Sequence, residues 1–233
     1  MKHYTITDIG KKRKNNEDSL LVKKQSGFDI MLICDGMGGH NSGEVASNMA
    51  TNIVDSFDFD DSIDILSQIK ALIQNINIKI YLKSKSSPDF NNMGTTFSLA
   101  VVYNEKLYIG HVGDSRIYSI ANDKINLITE DHSYANVLKS SGIEVKNNEY
   151  KNLIVKSVGT SSVIDPDLIE IDLKCMQFIF MCTDGVTNYL TDEEMLEIIT
   201  RNSEENILKE MLDICLERGG NDNISAILSV IGE

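Results

Sequence analysis

Four aspartates stand beside glycine or asparagine in segments whose composition suits tight turns. They are Asp35, Asp114, Asp184 and Asp222. Taken alone, an Asp next to Gly predicts only a turn, because Gly adopts positive φ at little cost. Two of the four, however, follow segments with the apolar character of buried strands. Strand ends in one sheet layer converge, and converging carboxylates repel one another unless a cation compensates.

The donor types favour a hard divalent cation. Carboxylates with a backbone carbonyl, and no Cys or His cluster, suit Mg²⁺ or Mn²⁺ better than Zn²⁺. Gly36, directly after Asp35, leaves room for its carbonyl and for water. Two such ions about 3.5–4 Å apart convert a bridging water to hydroxide and hold a phosphoryl group for in-line attack. Arg13 offers the bidentate fork that phosphate prefers, although a basic run is often only surface charge.

Other phosphatase and phosphotransfer chemistries are excluded by inspection. No Cys has Arg six positions later, so a cysteine-phosphatase loop is absent, and there is no G-x-x-x-x-G-K-[ST] phosphate loop or G-x-S-x-G elbow. The D-x-D pairs at 58–60 and 165–167 lie in polar or Pro-containing surroundings rather than after a buried strand. Metal-assisted hydrolysis is the reaction type that these exclusions leave.

Hydrophobic periodicity predicts the elements that must position these residues. We expect strands at 3–9, 19–24, 28–34, 95–103, 106–112, 115–120, 177–182 and 225–231. We expect helices at 43–57, 63–82 and 133–141, and two more after the N-caps Thr191 and Ser203. Strands cluster toward both ends with helix pairs between and after them, which predicts an α+β fold with helices covering sheets.

Composition bounds the class of protein. The chain has 233 residues with 42% hydrophobic content and a net charge of −13, which predicts one globular domain over 1–233 and argues against nucleic-acid binding. No apolar run approaches the roughly 18 residues of a membrane span, and the first residues lack a signal-peptide core. The four cysteines form no C-x-x-C pair. We therefore expect a cytoplasmic protein with no membrane or nucleic-acid partner.

Taken in order along the chain, these motifs resemble the metal-dependent protein phosphatases of type 2C in their compact bacterial form. The motifs are T-D-I-G-K-K-R-K-N-N-E-D (7–18), C-D-G-M-G-G-H (34–40), G-E (43–44), A-S (46–47), M-G-T-T (93–96), V-G-D-S-R (112–116), D-H-S (131–133), G-T (159–160), D-G (184–185) and G-G-N-D-N (219–223). The resemblance implies two antiparallel sheets packed face to face as a central sandwich flanked by helix pairs, in four layers.

The resemblance also implies a ligand set for two Mn²⁺ or Mg²⁺ ions. Asp35 would bridge the ions, and Gly36 would give its carbonyl to one of them. Asp184 and Asp222 would complete the protein ligands of the other. Because the bound hydroxide attacks phosphorus directly in such enzymes, no phosphoenzyme is expected.

Further roles follow from the same resemblance. Glu17, and with it Asp18, would orient bound water, and Arg13 would clamp the substrate phosphate. Asp114, together with Asp184, would hold a third and weaker ion. The implied activity is hydrolysis of phosphoserine and phosphothreonine in proteins, opposing a Hanks-type Ser/Thr kinase.

Two positions depart from the wider family. Met37 stands where many eukaryotic members carry a candidate general-acid His, and Asn188 where some carry an additional Asp. His40 is equally compatible with a loop-orienting role. We expect His111 and His132 to be structural and 132–153 to form a mobile flap beside the active site. Two alternatives stay open: a phosphatase of an anti-sigma-factor antagonist, and a catalytically silent phosphoprotein-binding module.

Overall fold

The computed structural model describes residues 1–38, 42–142 and 153–232. Within them, two sheets form with every named strand pair antiparallel. One sheet has the strand order β1-β11-β10-β7-β8 and the other β2-β3-β5-β6-β9, with β4 paired to the end of β3. The strands are β1 (Lys2–Asp8), β2 (Asp18–Gln25), β3 (Phe28–Met37), β4 (Gly94–Thr95), β5 (Phe97–Tyr103), β6 (Lys106–Val112), β7 (Arg116–Ala121), β8 (Lys124–Leu127), β9 (Asp167–Asp172), β10 (Phe178–Cys182) and β11 (Ile224–Val230).

Six α-helices form in the described ranges, and two pairs of them cover the outer faces of the two sheets. They are α1 (Ser42–Asp55), α2 (Ile65–Ser84), α3 (Tyr134–Ser140), α4 (Asp184–Thr187), α5 (Asp192–Arg201) and α6 (Glu204–Glu217), with a 3₁₀ turn at Pro88–Phe90. The buried side chains of α1 and α2 pack on the β2–β9 sheet, and those of α5 and α6 pack on the β1–β8 sheet. A third apolar cluster fills the space between the sheets. The predicted four-layer α+β sandwich is confirmed.

Strand β3 illustrates how the sequence specifies these layers. Successive side chains of a strand point to opposite faces. Ile30 and Leu32 accordingly join the cluster under α1 and α2, whereas Met31 and Ile33 join the cluster between the sheets. Because both faces of β3 are covered, its sequence is a continuous apolar run rather than an alternating one.

Several details differ from the sequence expectation. Strand β3 continues through Asp35 to Met37, because Gly36 and Met37 pair with β4, so Asp35 lies within the strand rather than in a turn after it. Thr191 is the N-cap of α5 as expected, and it forms a reciprocal capping box with Glu194 that the sequence analysis did not predict. Ser203 precedes α6 but its side chain makes no capping bond; its hydroxyl instead accepts a hydrogen bond from Asn206 Nδ2 at 2.9 Å.

Strands β8 and β9 and helix α4 were not expected from the sequence. β8 and β9 are sheet-edge strands, and charged and polar residues break their apolar patterns. Across the described ranges, no helix has the length and apolar character needed to span a membrane.

Candidate metal centre

Five segments of the chain bring acidic side chains together at one end of the sandwich. Asp35 is in β3, directly across the ladder from Asp18 in β2. Asp184 is the first residue of α4, and Asp222 lies in the loop before β11. Asp114 follows β6 and is 8% exposed. The structure therefore gathers the four aspartates and places beside them Asp18, which the family resemblance had implied to orient bound water.

These carboxylates are electrostatically unfavourable to one another. Burial raises the pKa of Asp35 well above its usual value, and the charges of Asp18, Asp184, Asp114 and Asp222 raise that pKa further. Burial likewise raises the pKa of Asp18 to about 7, with Asp184 and Asp222 adding to the shift. Burial and the charge of Asp184 raise the pKa of Asp114 to about 7. Such mutual destabilisation of ionised carboxylates is relieved by positive charge.

Three carboxylate oxygens in the group lack any hydrogen bond. Among the described residues, the only buried side-chain oxygens or nitrogens without a partner are Asp18 Oδ1, Asp114 Oδ1 and Asp184 Oδ1. An unsatisfied buried polar atom costs about 1–3 kcal/mol, so three such atoms beside Asp35 are the arrangement that a cation-binding site presents. Their chemistry, hard anionic oxygen, fits Mg²⁺ or Mn²⁺.

The carboxylates do not form a closed cage. In the parts of the chain that the structure describes, no three acidic, His or Cys side chains are positioned as a ready metal-binding group. Mg²⁺ does not require one, because it keeps several waters and binds through one or two carboxylates. The donor set therefore fits cations whose shells are completed by water and by substrate oxygens.

Gly36 is required by close backbone packing. Its N–H donates to the Glu17 carbonyl at 3.1 Å, and a Cβ at this position would lie 2.3 Å from the Gly43 carbonyl oxygen and 2.5 Å from that of Glu17. Ser47 Oγ donates to the same Glu17 carbonyl at 2.6 Å. The start of α1 and the segment before β2 are thus packed tightly against the Asp35–Gly36 backbone.

Asn223 ties the N-terminal loop to the carboxylate cluster, a role that the sequence analysis did not assign. Its Oδ1 accepts the Glu17 N–H at 2.8 Å. Its Nδ2 donates to the carbonyls of Ile9 and Asn15, at 3.0 and 2.9 Å. The available signal was its place directly after Asp222. Glu17 is held beside the aspartates, and burial, with the charges of Asp222 and Glu44, raises its pKa.

Arg13 reaches the carboxylate group from the rim. Its Nη2 donates to Asp222 Oδ2 at 2.7 Å, and its side chain remains 48% exposed. The arginine predicted to clamp phosphate thus contacts one of the predicted metal ligands directly. A half-exposed guanidinium at this position has donors available to a phosphate arriving from solvent.

Asp114 is positioned through the backbone of the residue before it. Gly113 has φ of +113°. Its N–H donates to His132 Nδ1 at 3.0 Å, and its carbonyl accepts the His132 N–H at 2.7 Å. His132 Nε2 lies 3.0 Å from Asp167 Oδ2. Asp184 has its own hydrogen-bond partner, because Asn188 Nδ2 donates to Asp184 Oδ2 at 3.0 Å.

Part of the predicted active-site surround lies outside the described residues, namely His40 and residues 143–152 of the predicted flap. The described flanks of the flap join at its base. The Val155 N–H donates to the His132 carbonyl at 2.9 Å, and Ser133 forms an antiparallel bridge with Ile154.

A two-sheet sandwich with helical outer layers and clustered carboxylates at one end defines a class of protein, and comparison with known families identifies it. The family model described as "Protein phosphatase 2C" matches residues 10–229. The chain belongs to that family.

Particular relatives agree along nearly the whole length. The Listeria innocua protein named serine/threonine phosphatase stp is 32% identical, covering 95% of this chain and 92% of that protein. Protein phosphatase PhpP of Streptococcus pneumoniae is 30% identical, covering 98% and 96%. The structure of serine/threonine phosphatase Stp1 from Staphylococcus aureus superposes with TM-score 0.93 at 29% identity, covering 99% and 95%. The catalytic domain of protein phosphatase PstP, solved with two manganese ions, has TM-score 0.87 at 25% identity, covering 100% and 98%.

Proposed function

We propose that this protein is a divalent-cation-dependent phosphatase that hydrolyses phosphoserine and phosphothreonine in proteins. The observation that carries the proposal is the set of three buried carboxylate oxygens without partners around Asp35. Membership of the protein phosphatase 2C family and the similarity to stp and PhpP support the same activity.

The proposed cation ligands are Asp35, the Gly36 carbonyl, Asp184 and Asp222, with Asp114 at a third position. When bound, two Mn²⁺ or Mg²⁺ ions would supply an activated water and positive charge against the phosphoryl group. The donor chemistry of the site and the manganese-bound structure of PstP support this assignment.

The remaining polar side chains have separate roles in the proposal. Arg13 directs its guanidinium donors at the phosphate oxygens from the rim of the site. Glu17 and Asp18 accept hydrogen bonds from water at the centre and so fix its orientation. The Cys34 and Cys182 thiols do not compete as nucleophiles, because both are fully buried in apolar clusters and burial raises the pKa of each.

The finer assignments are a Ser/Thr protein kinase as counterpart and a cytoplasmic location. A phosphoprotein phosphatase implies a kinase that supplies its substrates. All four cysteines are free, which supports a reducing compartment. We also propose that the chain forms one catalytic domain, with 132–153 as its flap.

Phosphate release from phosphothreonine and phosphotyrosine peptides, measured with Mn²⁺, Mg²⁺ or EDTA, tests the activity. We expect metal-dependent turnover of the phosphothreonine peptide that Asp184→Asn abolishes. The matched control is Asp213→Asn, an exposed carboxylate on α6. Absence of turnover from folded protein with either metal would reject the phosphatase and favour a binding module.

A further inference from the structure

The loop that carries Arg13 holds the longest run of basic residues in the chain. Lys11, Lys12, Arg13 and Lys14 are consecutive in a protein with a net charge of −13, and all four are exposed. A concentrated positive patch on an acidic protein creates a local field opposite to that of the rest of the surface. Negatively charged groups of a partner are therefore attracted to this patch, which lies beside the carboxylate cluster, and are repelled by the rest of the surface.

The loop is fixed in place against the segment that carries Asp222. The Lys11 N–H donates to the Gly220 carbonyl at 2.7 Å. Gly10 adopts φ of +77°, and a Cβ there would lie 2.2 Å from the Asp222 carbonyl oxygen. The basic residues are therefore held at the rim of the site, and Arg13 spans the gap to Asp222.

The three lysine ammonium groups are available to a partner. Within the described ranges no carboxylate pairs with Lys11, Lys12 or Lys14, whereas many other lysines have an acidic partner within 4.0 Å, including Lys2, Lys23, Lys24, Lys70, Lys106, Lys156 and Lys209. Lysines placed only for solubility do not need to be consecutive or adjacent to a phosphate-binding arginine.

We propose that Lys11, Lys12 and Lys14 form a docking rim for acidic side chains that flank the phosphorylated residue of a substrate protein, an inference that rests on the proposed phosphatase function. Consecutive Cα atoms are about 3.8 Å apart, and an extended peptide advances about 3.3–3.6 Å per residue. When Arg13 contacts the phosphate, the lysines lie within side-chain reach of residues one to three positions away. Glu or Asp at those positions of the substrate pairs with the lysine ammonium groups.

The charge balance of the protein explains why such a rim is useful. An acidic substrate is repelled by most of the surface and attracted near the site only by this patch. Because charges are screened beyond roughly 8 Å at physiological ionic strength, the lysines act on groups close to the phosphate. The rim therefore affects KM more than kcat.

The test compares two phosphothreonine peptides that differ only in having Glu or Gln at flanking positions. Binding is measured by fluorescence anisotropy with non-hydrolysable phosphonate versions, and turnover with the phosphorylated versions. We expect the wild type to favour the Glu peptide roughly tenfold in Kd and in kcat/KM. The preference should shrink between about 20 mM and about 300 mM salt.

Charge-neutralising variants locate the effect. K11Q/K12Q/K14Q should lose the preference, and K12Q/K14Q should lose most of it; the double variant spares the Lys11 stem, whose Cγ packs near Gly220. The matched control K79Q/K124Q/K174Q removes the same charge from exposed lysines elsewhere and should keep the preference. Turnover of p-nitrophenyl phosphate, which has no flanking residues, should be equal in all four proteins.

Three results would overturn the rim. The first is equal affinity of the wild type for the Glu and Gln peptides. The second is an equal loss of the Glu preference in the rim variants and in the control variant. The third is that the rim variants keep the Glu preference and lose only binding to anionic phosphatidylserine vesicles, measured by co-sedimentation. Failure of the phosphatase proposal is a separate outcome. In that case no substrate would show metal-dependent turnover, and the anisotropy measurement would still decide whether the lysines select acidic peptides.

Discussion

Asp18 and Asp35 lie directly opposite each other across the antiparallel β2–β3 ladder. Like charges in such cross-strand positions destabilise a sheet. Thr183 Oγ1 donates to Asp18 Oδ2 at 3.0 Å, but Asp18 Oδ1 has no partner among the described residues. This end of the sandwich therefore carries a cost in stability, which in our proposal a bound cation offsets.

Removing one of these two charges should stabilise the metal-free protein. We expect Asp35→Asn to raise the stability of EDTA-treated protein by about 1 kcal/mol, which corresponds to about 2–4 °C in Tm for a chain of this size. The same variant should lose the increase in Tm that Mn²⁺ gives the wild type, because that increase requires ligands present only in the folded state.

The control for this prediction is Asp123→Asn. Asp123 is exposed and has a φ of 56°, a conformation that Asn tolerates well. It should leave both the metal-free Tm and the Mn²⁺ response unchanged. A lower metal-free Tm in Asp35→Asn would mean that the opposed carboxylates are not a source of instability.

The contact between Arg13 and Asp222 predicts that replacing Arg13 weakens phosphopeptide binding and strengthens Mn²⁺ binding. Arg13→Ala should raise the KM for a phosphopeptide about tenfold or more, because it removes a charge-assisted donor to phosphate. It should also tighten Mn²⁺ binding measured by calorimetry, since Asp222 Oδ2 is then released from the guanidinium that lies 2.7 Å away.

Arg201→Ala is the matched control for Arg13→Ala. Arg201 is 49% exposed and is paired with Glu197 and Glu210, but it lies on the C-terminal helices away from the metal centre. We expect neither KM nor Mn²⁺ affinity to change in this variant. An unchanged KM in Arg13→Ala would contradict the phosphate-clamp role.

The sequence was sufficient to predict most of the fold. Strands with both faces covered, such as β3 and β5, have long apolar runs, and the cap at Thr191 places the start of α5. The edge strands β8 and β9 were not predicted, because an edge strand is stabilised by its single neighbour and tolerates polar residues on its exposed side. Their pairing depends on tertiary contacts rather than on local pattern.

The candidate site was predictable only in part. Glycine neighbours single out Asp35 and Asp184 in the sequence. The opposition of Asp18 to Asp35 depends on strand register, and the contact of Arg13 with Asp222 joins residues 209 positions apart. The amide network of Asn223 depends on loop geometry that periodicity does not encode.

His132 should act as a positioning residue for Asp114. Replacing it with Ala removes the acceptor for the Gly113 N–H and the pair with Asp167, so Asp114 is no longer held in one orientation. We expect kcat to fall about tenfold with little change in KM, consistent with the sensitivity of metal sites to outer contacts. His132→Asn, which keeps a side-chain acceptor, should recover part of the loss.

His3→Ala is the appropriate control for His132, because His3 also pairs with an aspartate, Asp29, at 2.8 Å and is joined to a different part of the sandwich. It should affect stability but not kcat. If His132→Ala lowers stability as His3→Ala does and leaves kcat unchanged, the positioning role is wrong.

His111 predicts a pH dependence of stability. Burial, with the neighbouring charge of His132, lowers its pKa to about 4, against about 6.5 in an unfolded chain. Between these values the unfolded chain binds the additional proton, so the contribution of His111 to the free energy of unfolding rises with pH from about 4 to about 6.5 and is constant above that. The contribution is on the order of 3 kcal/mol.

Urea unfolding of metal-free protein across that pH interval checks this expectation. Asp18 and Asp114, whose pKa is raised to about 7, contribute a slope of the opposite sign in both proteins. His111→Asn, which removes the titrating imidazole, should therefore give a slope of unfolding free energy against pH that is less positive than that of the wild type. Identical slopes in the two proteins would assign the pH dependence to other groups.

The number of tightly bound Mn²⁺ ions per chain, measured by equilibrium dialysis and elemental analysis, tests the central claim most directly. The wild type should bind two, and Asp184→Asn and Asp222→Asn should each bind fewer, while Asp213→Asn matches the wild type. Full occupancy in both ligand variants, or no tight binding in the wild type, would contradict a metal centre built on these carboxylates.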